Sequence, residues 1–154
     1  MEYFVERLQK ELEIDEGCKY EVYLDHLGLP TFGIGHLVKE TDPEHQMAMG
    51  TPVSKARVDE CFQQDVRTTV IDCKKIFDDW DALPEEVKLI MANMMFNLGY
   101  PRFSKFKKMI QAVRDGEWIE AGNQMQDSRW YKQVTNRADR LIHRMKGVPL
   151  HGER

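Results

Sequence analysis

Phe4, Leu8 and Leu12 recur at four-residue spacing with charged residues between them, so residues 2–15 read as an amphipathic helix. Gly17 ends it, as glycine does just past a helix C-terminus. From Lys19 the period shortens to two. Tyr20, Val22 and Leu24 alternate with Lys19, Glu21 and Tyr23, and the turn-forming run DHLG precedes PTFGIGH, which predicts a hairpin with room for a third short strand. Residues 38–53 hold Pro43, Gly50 and Pro52, keep no sustained period, and read as a loop with one helical turn at most. Val58, Phe62, Val66, Val70, Cys73 and Phe77 then follow helical steps behind Ser54, a suitable N-cap for a long helix. The remainder reads as helices: one with Pro84 in its first turn and Gly99 as its stop, one capped by Ser104, one over EWIEAGNQM, and one capped by Thr135 and ended by Gly147. Strands early and helices late predict an α+β fold. The expected organisation is a single domain over 1–154, with a small β lobe over residues 13–53, a connecting helix over 54–77, and a helical lobe built from 78–154 together with 1–12.

Composition narrows the class. With 154 residues, 42% hydrophobic and 31% charged, the chain has an ordinary globular make-up, long enough for a core and for a cleft between two lobes. No apolar run reaches the roughly 18 residues that a membrane span needs, and the acidic N-terminal helix lacks the apolar region of a secretory signal. Synthesis in a reducing cytoplasm is therefore expected. Cys18, Cys61 and Cys73 fit this, being an odd count without zinc-ligand spacing. Charge is uneven: residues 1–99 carry 10 Lys+Arg against 20 Asp+Glu, and residues 100–154 carry 12 against 6. The basic last third suits either an anionic polymer or a solvated face, and no nucleic-acid-binding motif accompanies it.

The chemistry concentrates in residues 14–36, IDEGCKYEVYLDHLGLPTFGIGH. Glu16 falls at the negative end of the first helix beside Asp15 and Glu13, surroundings that disfavour its ionised form. Asp25 falls at a hairpin turn, where solvent keeps a carboxylate charged. Two carboxyl groups in opposed environments are what cleavage of a glycosidic bond requires. Helix-end acids and turn aspartates are nevertheless common, and these two residues alone do not decide the matter.

The spacing Glu-x8-Asp-x5-Thr followed by GIGH closely resembles the catalytic segment of the T-even bacteriophage lysozymes, glycoside hydrolase family 24. Further matches follow in order: FQQDV at 62–66, NMMFNLG at 93–99 and SRWYKQVTNRADR at 128–140. The resemblance covers nearly the whole chain and implies a lysozyme-like fold. It also implies Glu16 as general acid, Asp25 as the group that orients or deprotonates the attacking water, and Thr31 as the residue that holds this water. The implied reaction is inverting hydrolysis of the β-1,4 bond between N-acetylmuramic acid and N-acetylglucosamine in peptidoglycan, with no metal or organic cofactor. Arg137 matches the family arginine that approaches the catalytic glutamate. Asn97, where the family often carries glutamine, and Phe103 are expected with it on the substrate side of the cleft. His36 and Asp65 match a pair with a structural role, while Phe96, Met91, Met94, Met95, Trp130 and Tyr131 are expected in helix packing.

Two departures stand out. Only 29 positions separate His36 from Asp65, fewer than in the T-even enzyme, so part of the lower cleft wall is missing or rebuilt. The net charge of −4 also contrasts with the basic character of familiar members. The favoured expectation is a free, monomeric endolysin that meets the wall after a separate protein permeabilises the membrane, with no nucleic-acid partner and no stable membrane insertion. The alternatives are a lysozyme attached to a virion tail, or a wall-binding module without activity; the joint presence of Glu16, Asp25 and Thr31 argues against the last.

Overall fold

Alternating helix and strand signals resolve into helix α1, Glu2–Glu16, followed by three short strands: β1 Lys19–Leu24, β2 Pro30–Gly33 and β3 His36–Leu37. The computed structural model describes residues 2–150, and its chain groups into two units, 1–68 and 69–154. The division falls inside the long helix α2, Lys55–Ile76. By this grouping the first helix falls in the same unit as the strands, where the expectation from the sequence is the helical lobe.

In the first unit the strands form an antiparallel sheet in the order β1-β2-β3. Tyr23 pairs with Thr31 and Leu24 with Pro30 across β1 and β2; Thr31 pairs with Leu37 and Phe32 with His36 across β2 and β3. The alternation expected in β1 holds only at Val22, which is buried, while Tyr20 and Leu24 are about half exposed. The cause is a register irregularity between Lys19 and Tyr23, together with a second partner for the strand. The Val22 N–H donates to Thr51 O at 2.9 Å, the Gly50 N–H to Val22 O at 2.7 Å and the Val53 N–H to Tyr20 O at 2.9 Å. Residues 50–53 thus cover the free edge of β1, and the segment 38–53 contains no helical turn. An edge covered in this way cannot recruit another strand. Phe32, with none of its surface exposed, sits in the unit's core with Val22, Ile34, Val58 and Phe62.

The second unit holds the end of α2, a 3-10 turn at Trp80–Ala82, and the helices α3 Glu85–Leu98, α4 Tyr100–Phe103, α5 Lys107–Arg114, α6 Trp118–Gln126, α7 Arg129–Gln133 and α8 Thr135–Lys146. Helix α3 is buried on every side from Leu89 to Met95, as a helix apolar all round must be. Helix α8 packs on it and on α6. Gly122 lets α6 and α8 approach closely, since a Cβ there would stand 2.7 Å from Lys146 Cγ. The Arg114 guanidinium donates to Ile76 O at 2.6 Å, satisfying an orphan carbonyl at the end of α2.

Local signals set most boundaries but not all. Ser54 caps α2 as expected, its Oγ accepting from the Arg57 N–H at 3.1 Å. Ser104 does not cap α5: its hydroxyl donates back to Tyr100 O at 2.6 Å and closes α4, and α5 begins three residues later. Thr135 likewise donates to Tyr131 O at 2.8 Å, closing α7. On α2, Val70 is half-buried and Thr69 takes its place in the core, because a strict four-residue step overruns the 3.6-residue turn. Replacing Ser54 with Ala is expected to cost about 1 kcal/mol of stability in urea unfolding, whereas Ser104→Ala, which removes no cap, costs measurably less.

Candidate active site

Glu16 is the last residue of α1 and is half-buried. The Gly17 N–H donates to Glu13 O at 3.0 Å, and Gly17 takes φ 71°, so the chain turns sharply and leaves the Glu16 side chain at the helix end. The carboxyl lies on the backbone of Gly35. A Cβ added there would stand 2.6 Å from Glu16 Oε1 and 2.8 Å from its Cδ, nearer than any real side-chain atom could come. Gly35 also has φ 64°, a conformation that glycine adopts at little cost. Along the chain this glycine is one letter of GIGH with no local signal of a role; only the spatial approach of Glu16 reveals it.

Asp25 occupies the hairpin turn, half-buried rather than open to solvent. Its Oδ1 accepts from the N–H groups of Leu27 at 2.8 Å and Leu29 at 2.9 Å, which fixes the carboxylate plane. Thr31 is almost wholly buried, and its hydroxyl donates to Leu29 O at 2.9 Å. Tyr23 faces Thr31 across the strands. Burial raises the pKa of its phenol, and the negative charges of Glu16 and Asp25 raise it further. Tyr23 therefore lies within electrostatic reach of both carboxyl groups, on the strand that joins them.

His36 lies between two carboxylates. Its Nδ1 is 2.6 Å from Asp65 Oδ2 and its Nε2 is 2.8 Å from Asp42 Oδ2. Both partners present carboxyl oxygens, and with each of them accepting, both ring nitrogens carry hydrogen and the ring is an imidazolium. Burial opposes that charge, but the hydrogen bonds and charges of Asp65 and Asp42 outweigh it and raise the His36 pKa. For Asp42, burial is outweighed by the Lys39 N–H and by His36, and its pKa is lowered. Asp65 alone is expected as a partner of His36 from the sequence; Asp42, inside the segment without periodicity, carries no local signal.

The remaining expected site residues belong to the second unit. Arg137 is buried, its Nε donating to Asn93 Oδ1 at 2.8 Å and its Nη2 to Asn93 O at 3.3 Å. One turn along α3, Asn97 Oδ1 accepts from Trp130 Nε1 at 2.7 Å. Trp130 is buried and meets Phe106 edge to face at 6.5 Å, a packing role as expected. Phe103 corrects its expectation: none of its surface is exposed, and its ring packs edge to face on Phe77 at 6.3 Å. It is a core residue with no area to offer a sugar. Among the described residues no group of three or more His, Cys, Asp or Glu side chains is arranged to hold a metal ion, and no helix is long and apolar enough to cross a membrane.

An acid at a helix end, an aspartate and a threonine on a three-stranded hairpin, and a following helical unit define a chain of the lysozyme class. The phage lysozyme family profile matches residues 13–147, and the chain belongs to that family. It is 31% identical over 149 residues to the pre-baseplate central spike protein Gp5 of Enterobacteria phage T4, covering 84% of this chain and 26% of that protein. It is 27% identical over 157 residues to the probable T4-type lysozyme 2 of Dictyostelium discoideum, covering 90% and 92%. It is 29% identical over 139 residues to the peptidoglycan hydrolase gp36 of Pseudomonas phage phiKMV, covering 89% and 15%. The chain thus spans about a quarter of the spike protein and nearly all of the Dictyostelium relative.

The His36 cluster sets a pH dependence. The raised histidine contributes stability that is fully present below its unfolded pKa of about 6.5 and is lost as pH rises through the folded value. The lowered Asp42 contributes stability that is present above its unfolded pKa of about 3.9 and is lost as pH falls through the folded value. Both act fully between about pH 4 and 6.5, where the melting temperature is expected to be greatest. Asp65→Asn is expected to lose about 1.5–3 kcal/mol in that window, as for a hydrogen bond to a charged group, and to flatten the alkaline decline. An unchanged melting temperature at pH 5–6 would assign the pair no weight in stability.

Proposed function

We propose that this chain is a glycoside hydrolase that cleaves the β-1,4 bond between N-acetylmuramic acid and N-acetylglucosamine in peptidoglycan, with inversion at the anomeric carbon. The observation that carries the reading is the placement of two carboxyl groups about Tyr23: Glu16 rests on Gly35, and Asp25 is fixed in its turn two residues after Tyr23, the strand partner of Thr31. In this mechanism Glu16 gives its proton to the glycosidic oxygen as the bond to the anomeric carbon breaks. Water attacks that carbon from the opposite face and passes a proton to Asp25, and exchange with solvent restores both groups. The Thr31 hydroxyl spends its hydrogen on Leu29 O, so its oxygen can only accept from the water. A water that donates to Thr31 and to Asp25 turns a lone pair toward the sugar. Inverting enzymes of this kind hold their carboxyl groups roughly 6.5–9.5 Å apart to admit that water.

Two biological settings suit this chemistry. One is a free endolysin that degrades the wall at lysis. The other is a lysozyme carried by the virion, and the similarity to a phage spike protein of much greater length favours giving it equal standing. Mass spectrometry of purified virions separates them, since a carried enzyme is present in washed particles and a free endolysin is not.

The mechanism itself is tested with Glu16→Gln, which keeps shape and polarity without the transferable proton. Acid catalysis contributes about 10²–10⁴-fold, so the folded variant is expected to bind wall fragments and to lose nearly all release of reducing ends. Asp25→Glu is expected to retain partial activity and Asp25→Ala very little. Proton NMR early in the reaction is expected to show the α-anomer; the β-anomer, or full clearing of wall suspensions by Glu16→Gln, would dismiss the inverting glutamate-acid mechanism.

A further inference from the structure

The segment 38–53 is fastened far more tightly than a connecting loop needs. One end covers the edge of β1 through backbone hydrogen bonds. The other is tied to His36 and to α2 by a network centred on Arg57. Arg57 donates from Nε and Nη2 to the two oxygens of Glu44, each at 3.0 Å, from Nη1 to Glu60 at 2.7 Å and from Nη2 to Asp42 Oδ1 at 3.2 Å. Its guanidinium carbon lies 5.8 Å from the centre of the Phe32 ring. Asp42 Oδ2 meanwhile accepts from His36 and, at 2.9 Å, from the Lys39 N–H. Glu44 is buried, and its pKa is lowered by Arg57 foremost. Such a network is an uneconomical way to gain stability, because well-packed apolar residues often do as well as buried ion pairs.

What it does gain is geometry. Two carboxylates hold the His36 ring by its two nitrogens, so the ring can neither flip nor swing. The residue before His36 is Gly35, whose backbone is the surface under the Glu16 carboxyl. Without Asp42 the ring keeps one anchor, Asp65 on α2, and the His36 backbone, which continues directly into the Gly35 peptide, loses one of its two tethers. We propose that Asp42 and Arg57 are positioning residues of the glycosidase site: through the His36 ring they fix the Gly35 backbone on which the Glu16 carboxyl rests. The inference rests on the proposed role of Glu16. It gives the segment 38–53 a part in catalysis without contact to substrate.

The test measures kcat and KM for reducing-end release from soluble, uncrosslinked peptidoglycan strands. Asp42→Asn removes the charge and keeps the size; Arg57→Lys keeps the charge and removes the fork. Each is expected to lower kcat by about 10- to 100-fold, the scale of an ångström-sized misplacement, with KM within about a factor of 2, the pattern of an interaction made in the transition state. Val113→Ala, a buried change in the second unit, lowers stability and is expected to keep kcat. The double variant of Asp42→Asn with Gly35→Ala is expected to be no slower than Gly35→Ala alone, because both act through one contact. If Asp42→Asn does not fold, Arg57→Lys and Glu44→Gln decide. Wild-type kcat in the folded variants, a loss confined to KM, an equal kcat loss in Val113→Ala, or multiplying losses in the double variant would each overturn the positioning role while leaving the function intact. Failure of the wild-type protein to release reducing ends would overturn both.

Discussion

A buried positive charge held between two carboxylates organises the first unit of this protein. An imidazolium taken out of water is costly unless each N–H meets an acceptor, and His36 meets one on each side. Satisfying it requires α2 to present Asp65 to one ring nitrogen and the segment after β3 to present Asp42 to the other. That single demand ties together a helix, a strand and a segment without regular structure. It also holds the ring of His36 against Phe32, their centres 4.8 Å apart, so the polar cluster and the apolar core fix each other.

The second unit solves a comparable problem with amide side chains as acceptors. Asn93 and Asn97 stand one turn apart in the apolar part of α3 that follows Lys88, and accept from Arg137 and Trp130 respectively. Two polar anchors thereby set how α7 and α8 lie against α3. Asn93 is fully buried, and a buried amide left unpaired would cost about 1–3 kcal/mol, so these contacts specify one packing among the several that an apolar helix allows. Arg144 adds a fork to Glu86, with Nε at 3.0 Å and Nη2 at 2.8 Å, fixing the far end of α8 to the start of α3.

The buried thiols follow from the same packing. Burial pushes the Cys61 thiol up to about 11, with Arg57 opposing and the carboxylates near it assisting, and burial drives Cys73 higher still. Both remain protonated side chains that fill space on α2. The exposed Cys18 lies one residue beyond the turn that carries Glu16 away from its helix.

Periodicity and turn chemistry by themselves determined the partition into strands early and helices late, the stop at Gly17, the cap at Ser54 and the gathering of Glu16, Asp25 and Thr31 on one short segment. These are short-range properties, fixed by a few neighbouring residues and the geometry of one turn. Tertiary structure decided the rest. Ser104 and Thr135 could each have capped the helix ahead or closed the one behind, and packing chose the latter. Phe103 could have faced solvent or core, and Phe77 decided it. Asp42 reads as a loop acid until the fold brings it to His36, and Gly35 reads as a turn glycine until the Glu16 carboxyl lies on it. Hydrogen-bond partners and close approaches between separate elements are set by distances through space, and no pattern along the chain encodes a distance that only the closed fold creates.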